Sequence, residues 1–299
     1  MFECIFSVFP IDCFVPVAPD SFMSDSMQKP DAEPVADGKG PAAQASGRNI
    51  PLSVPRRIIC DLMAISKGIP TVPVQRQMNI TGVVVARRRL PQTPDLPGWC
   101  AIFTKAYALT TLQFPELRRA YLPFPRPHLY EHPHSSASIA VEREYEGEHA
   151  LFWGQLRCPE QRSLWDLQAH LRHYKDEPIG DIVEFRRQLR NGGLPWLVRR
   201  LIWWFGLNFS GRKRAGYLGT FAVSVYSGLG AESLHPISPL TTLLNYGPIG
   251  KDGAVSVRIV YDHRVLDGPC VARSLACLED VLNSEIVAEL GQEVQARAA

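Results

Sequence analysis

Paired cysteines are missing from this chain of 299 residues: Cys4, Cys13, Cys60, Cys100, Cys158, Cys270 and Cys277 are scattered singly and none forms a C-x-x-C pair. An odd, unpaired set speaks against a disulfide framework and against a cysteine-based zinc site, and a reducing cytoplasm is the simplest compartment for it. An excess of one charge is missing too. The 32 Lys+Arg and 30 Asp+Glu leave a net charge of +2, and no basic cluster is interleaved with aromatics as in a single-strand groove, so nucleic acid is not an expected partner. No apolar run is long enough to cross a bilayer, and there is no internal repeat. The first 18 residues are apolar, but they lack a positive start and are broken by Pro10, Asp12 and Pro16, which argues against a working secretory signal. Met23 or Met27 is the more natural start, making the residues before it an expected gene-start artefact.

What is present is an ordinary globular composition, with 45% hydrophobic and 21% charged residues, enough for a sizeable core. Residues 20–49 are rich in Pro, Ala, Gly, Ser and Asp and cannot offset the entropy of ordering, so 1–50 reads as a disordered arm, 51–290 as one folded domain and 291–299 as a polar tail. Periodicity predicts helices over 56–66, 98–113, 163–175, 179–190 and 269–282. It predicts strands over 72–85, 138–141, 151–156, 221–225, 241–246 and 255–260, the second and third of these joined across a polar turn at 142–148. Helices and strands alternate without a regular βαβ repeat, which implies an α/β two-layer sandwich with a mixed β-sheet.

The most informative stretch is Tyr261-Asp262-His263-Arg264-Val265-Leu266-Asp267-Gly268, where a strand meets a helix. Gly268 suits a tight turn, Pro269 the first turn of a helix and Asp267 a cap, so His263 is aimed from a stiff junction. This string resembles the D-H-R-x-x-D-G signature of the dihydrolipoamide acyltransferases, the catalytic cores of 2-oxoacid dehydrogenase complexes, which share a fold with chloramphenicol acetyltransferase. Gly219-Thr220-Phe221-Ala222-Val223-Ser224 is similar to the G-T-F-T-I-[ST] strand that precedes that signature, and weaker similarity extends over most of residues 55–282.

The resemblance implies a coenzyme A-dependent acyltransferase with a chloramphenicol acetyltransferase-like fold. His263 would be general base and then acid, since one imidazole can take a proton from the acceptor and return it to the leaving thiolate. Ser224 matches the hydroxyl that donates to the oxyanion. Asp267 carries over as the acid that pairs with a distant arginine and shapes the histidine loop; Arg56 is the best match for that arginine and Arg57 the second, with Arg264 and Gly268 as local support. The family forms trimers with the site between subunits, so a homotrimer is implied.

Other features carry less. His128, His132 and His134 lie in a proline-rich stretch without nearby Cys or Asp, and no metal is assigned to them. Residues 195–214 mix Trp196, Trp203, Trp204 and Phe205 with Arg199, Arg200, Arg212, Lys213 and Arg214; an amphipathic helix packed on the body is preferred over membrane contact. Cys270 should start a helix away from His263 and is not taken as a nucleophile. The family's lipoyl and dehydrogenase-binding modules are not seen. Before residue 51 the only lysines are Lys29 and Lys39, both in low-complexity sequence, so a lipoyl group would have to come from another chain or the acceptor would differ. The alternative is an inactive trimeric scaffold or interaction protein of the same fold.

Overall fold

The computed structural model describes residues 47–298, with side chains up to residue 292; the expected disordered arm and start-site artefact lie outside the described residues. The compact unit runs from Ile50 to Ala299. Helix α1 (Val54–Ser66) opens on Ser53, whose hydroxyl accepts from the Arg56 N–H, with Pro55 in the first turn. Strand β1 (Thr71–Asn79) follows, then α2 (Thr81–Arg88) and α3 (Trp99–Gln113). A two-stranded ribbon, β2 (Arg119–Leu122) with β3 (His128–Glu131), precedes the long hairpin of β4 (Ser136–Tyr145) and β5 (Glu148–Arg157). Four helices come next: α4 (Leu164–Asp176), α5 (Val183–Gly192), α6 (Trp196–Asn208) and α7 (Gly211–Leu218). The chain then returns to the sheet as β6 (Phe221–Val223), β7 (Thr242–Tyr246) and β8 (Ala254–Asp262) and closes with α8 (Gly268–Val281), a π turn at Leu282–Ile286, and α9 (Val287–Ala298).

Six strands form one mixed sheet in the order β1-β8-β7-β6-β4-β5. The β4–β6 and β6–β7 pairs are parallel and the rest antiparallel. Edge strand β1 contains Pro73, which an edge tolerates because its missing N–H can face outward. The sheet is covered on both faces. Val255, Val257, Ile259 and Tyr261 of β8 pack into the larger core with α3 and α8, whereas Val260, with Leu243 and Ala222, packs against Ile58 and Leu62 of α1, Leu207 of α6 and Leu218 of α7. The strand period of two thus sorts neighbouring residues between two helical layers.

Three expectations change. Residues 80–85 are not strand but the start of α2, because Val83, Val84 and Ala86 recur on one buried helical face while the run of valines mimics a strand. The hairpin turn is only Glu146-Gly147, both at positive φ (52° and 79°), so β4 and β5 run on into the polar segment expected to be loop. The polar segment after residue 290 continues α9 to Ala298.

One buried ion pair fastens the second layer. Asp61 on α1, 1% exposed, accepts from Arg199 Nε of α6 at 2.7 Å, with Arg200 at 3.7 Å from its other oxygen. Asp61→Ala leaves Arg199 buried without its partner and should destabilise the fold by about 3–5 kcal/mol in urea unfolding.

Candidate functional site

The His263 turn is held by its neighbours at every step. Asp262, 1% exposed, receives Arg264 in a fork: Nε to Oδ1 at 2.9 Å and Nη2 to Oδ2 at 2.7 Å, with the Arg264 backbone N–H on Oδ1 at 3.0 Å. The N–H groups of Val265 and Leu266 donate to the Asp262 carbonyl, and the His263 N–H donates to Pro70 O at 2.9 Å. Arg264 also lies over the Tyr121 ring, 4.5 Å from its centroid. Nearby Arg214, buried and bonded to the Leu207 and Pro239 carbonyls, is pushed down to about 10 by burial, with Asp262 pulling the other way and Arg264 adding to the fall.

On this frame His263 is half exposed. Its Nδ1 stands 3.0 Å from Leu266 O, a carbonyl that can only accept, so Nδ1 carries a proton in this contact. Asp267 Oδ1 lies 3.7 Å from the same Nδ1, and Tyr261 meets the ring edge-on at 5.6 Å. The geometry yields an imidazole held at Nδ1, with the Asp267 carboxylate beside the same nitrogen.

Ser224 is positioned just as firmly. Gly219 has φ 86°, and a Cβ there would come 2.5 Å from Ser136 O, so only glycine allows the chain to turn into β6 at this approach. Thr220 then fastens the strand: its N–H donates to Ser136 O at 2.7 Å and its hydroxyl accepts from the Ser136 N–H at 2.9 Å. Just beyond β6, the Ser224 N–H donates to Leu244 O at 3.2 Å and its carbonyl accepts from Asn245 Nδ2 at 2.6 Å. Among the described residues the Ser224 hydroxyl makes no hydrogen bond. It faces a groove of about 550 Å³ bounded by Arg56, Glu148, Tyr226 and Leu229. That groove continues into an apolar space of about 320 Å³ walled by Leu62, Met63, Trp153 and Leu218.

The structure does not bring His263 and Ser224 together in one chain. Val223 is level with Leu244, and Leu244 with Ile259. Ser224 lies one residue beyond that level in one direction and His263 four residues beyond it in the other, which is about 16 Å along the strands before the two strand spacings between β6 and β8 are added. The Asp267–Arg56 pair is also absent among the described residues. Asp267 is 84% exposed at its side chain, while Arg56 sits in the Ser224 groove on α1, in the layer opposite α8. Arg57 donates to Leu52 O instead. Asp267 occupies the N-cap of α8 but makes no side-chain cap, its carbonyl accepting from Cys270 and Val271 instead. Gly268 has no positive φ and begins the helix, so the turn does not use its freedom.

Of the three histidines weighed as ligands, His134 lies beside Cys158 and Glu160, their ligand atoms within 4.8 Å of one another. Spacing in sequence could not show this, because Cys158 reaches it by strand pairing; among the described residues, these three are the group that could hold a metal. Burial pushes the Cys270 and Cys158 thiols up, away from the reactive thiolate. Sequence reasoning missed Asp262 as the acid that holds the turn: it names a more distant pair, while the local one lies two residues apart.

No protein-family model matches the chain, and no curated protein matches it. Solved structures do. A probable dihydrolipoamide acetyltransferase from Listeria monocytogenes aligns over 80% of this chain and 95% of that one, at 20% identity and a TM-score of 0.58. The Azotobacter vinelandii dihydrolipoamide acetyltransferase aligns over 85% and 100%, at 19% identity and a TM-score of 0.60. The fold is that of the dihydrolipoamide acetyltransferase cores. A truncated catalytic core of the 2-oxoacid dehydrogenase multienzyme complex from Thermoplasma acidophilum shares it, over 80% and 99%, at 17% identity and a TM-score of 0.55.

His132 is buried at 4% exposure and lowered from 6.5 to about 4 by desolvation, with Arg214 and Arg118 adding to it. A histidine whose folded value is depressed contributes stability that is complete above pH 6.5 and lost as pH falls toward 4. Chemical denaturation across that window should show a loss of about 3 kcal/mol, and His132→Gln should flatten it.

Proposed function

We propose that the protein is a coenzyme A-dependent acyltransferase, in a reducing cytoplasm, whose active sites form between copies of the chain in a homotrimer. The carrying observation is His263: an imidazole held at Nδ1 by Leu266 O and presented on a turn that, among the described residues, lies far from Ser224 of its own chain. Ser224, a bare hydroxyl in a groove at the other end of the same sheet, supplies the missing half when it comes from a neighbouring copy. The fold supports this reading. The mechanism of the Azotobacter vinelandii enzyme was investigated at a serine, a histidine and an asparagine four positions after the histidine. Ser224 and His263 are of those two kinds, and Asp267 stands four positions after His263.

In the proposed reaction His263 Nε2 takes the proton from the acceptor's thiol, hydroxyl or amine as that atom attacks the thioester carbonyl. The carbonyl π pair moves onto oxygen, and the Ser224 O–H donates to that growing charge. Asp267, near Nδ1, steadies the imidazolium. When the tetrahedral intermediate collapses, the C–S bond breaks and the thiolate of coenzyme A leaves with the proton from Nε2. The acceptor is a lipoyl group carried by another chain or a different nucleophile; the apolar extension of the groove suits an apolar acyl or acceptor group.

His263→Ala should abolish acyl transfer from acyl coenzyme A with thermal unfolding unchanged, since its ring is exposed. Ser224→Ala should lower kcat by about two to three orders of magnitude. Full turnover in either variant, measured against a panel of thiol, amine and hydroxyl acceptors, would remove that residue from the site. The placement between copies has its own assay. In a closed ring assembled at random from equal amounts of the two dead variants, a site has both native residues in about one case of four. Co-refolded His263→Ala and Ser224→Ala chains should therefore regain about a quarter of native activity, whereas a site within one chain predicts no recovery.

A further inference from the structure

A normal surface helix turns its apolar residues to the body and its charges to water; helix α6 packs Leu207 and Trp203 on the body but also turns a second apolar stripe outward. Its two charged residues, Arg199 and Arg200, point inward to Asp61. Its outward stripe is Leu197, Val198, Leu201, Trp204 and Phe205, continued by Phe209 just past its end, all between 41% and 62% exposed. Spacings of three, four and seven put these side chains side by side. Phe124, from the β2–β3 connection, extends the patch, its ring 5.3 Å from those of Trp204 and Phe209.

The charge around the stripe has one sign. From Glu184 to Glu232 the chain holds no acidic residue, while Arg186, Arg190, Arg212 and Lys213 are exposed on the flanking helices and Arg126 is exposed beside Phe124. An aromatic and aliphatic stripe in a segment rich in exposed bases complements the headgroup region of an anionic bilayer: rings and branched side chains enter the acyl boundary while guanidinium and ammonium groups meet lipid phosphates. At 13 residues α6 reaches only about 20 Å, and no helix among the described residues is long and apolar enough to cross a membrane. It would lie in the plane of the surface.

We propose that α6, with Phe124 and the flanking bases, docks the protein on an anionic membrane surface. The expected packing of this helix on the body is met by Leu207 and Trp203, and the exposed stripe is a second apolar face beyond it. Docking there rests on observations separate from the acyltransferase reading, so either can fall without the other.

The test is flotation of the full-length protein with vesicles of phosphatidylcholine alone or mixed with phosphatidylglycerol, with light scattering and thermal unfolding in parallel. The protein should float with the mixed vesicles, not with phosphatidylcholine alone, and less as salt is raised. Leu201→Gln, Trp204→Gln and Phe205→Gln combined should reduce partitioning at least about tenfold. Arg212→Gln and Lys213→Gln should each cost about fivefold on the anionic vesicles. Three results would overturn the proposal. One is failure of the native protein to float with anionic vesicles. Another is flotation of the folded triple variant as well as native. The third is a triple variant that loses its oligomeric state while the native protein ignores vesicles, which would make the stripe a contact between copies or with another protein.

Discussion

The ladder of backbone hydrogen bonds through β6, β7 and β8 sets the distance between Ser224 and His263, and no side-chain rotation can close it. Each residue is fixed at its backbone: the Ser224 N–H donates to Leu244 O and its carbonyl accepts from the Asn245 side chain, and the His263 N–H donates to Pro70 O. A serine hydroxyl and an imidazole acting on one carbonyl carbon must each come within hydrogen-bond reach of it. Residues held more than about 16 Å apart by a sheet cannot do so. Chemistry that uses both then requires a second copy, and the exposed position of each is what such an arrangement needs. The same constraint explains why His263 lies half open on its turn instead of being buried in a cleft.

Much of this fold was legible because strand and helix periods were clean. The 98–113 and 269–282 helices and the three strands after residue 220 stand within a few residues of their expected places. Failures came where two signals competed. Val83, Val84 and Val85 favour a strand by side-chain branching, yet Ile80, Val83 and Val84 fill the core from a helix, and burial decided the outcome. The β2–β3 ribbon was invisible because prolines at 123, 125 and 127 read as irregular chain.

The candidate site was legible only in part, for a related reason. Short motifs report local geometry: Gly219 and Thr220 have backbone duties that explain the glycine and the threonine, and the His263 turn has the predicted strand-to-helix context. Partnership between motifs depends on strand order and on which layer a helix joins, and neither is written in the motif. Arg56 and Asp267 are an example. Each stands in a sensible local setting, but α1 and α8 cover opposite faces of the sheet, so the expected pair does not form within the chain. The shaping of the histidine loop falls to Asp262 and Arg264, whose fork spans only two residues of the turn itself.

The same reasoning explains why α6 turns a second apolar stripe outward. Asp61 is carried into the second layer by α1, which must turn Ile58 and Leu62 onto the sheet; a carboxylate one turn from Ile58 and next to Leu62 has little choice but burial. A buried carboxylate requires a cation, and Arg199 supplies it with a bond that is short and enclosed on both sides. Once Arg199 points inward, helical geometry settles the rest. Residue 199 lies about 160° around the axis from 197 and 201, and about 140°, 120° and 100° from 204, 205 and 198, so those side chains face away from Arg199. The apolar stripe is thus the direct consequence of one ion pair and a period of 3.6. It could have been made polar without replacing that pair, since Asp61 is paired through Arg199 and Arg200. The chain places Leu, Val, Trp and Phe there instead, and that choice at positions free to be polar is the strongest sign that the stripe meets something other than water.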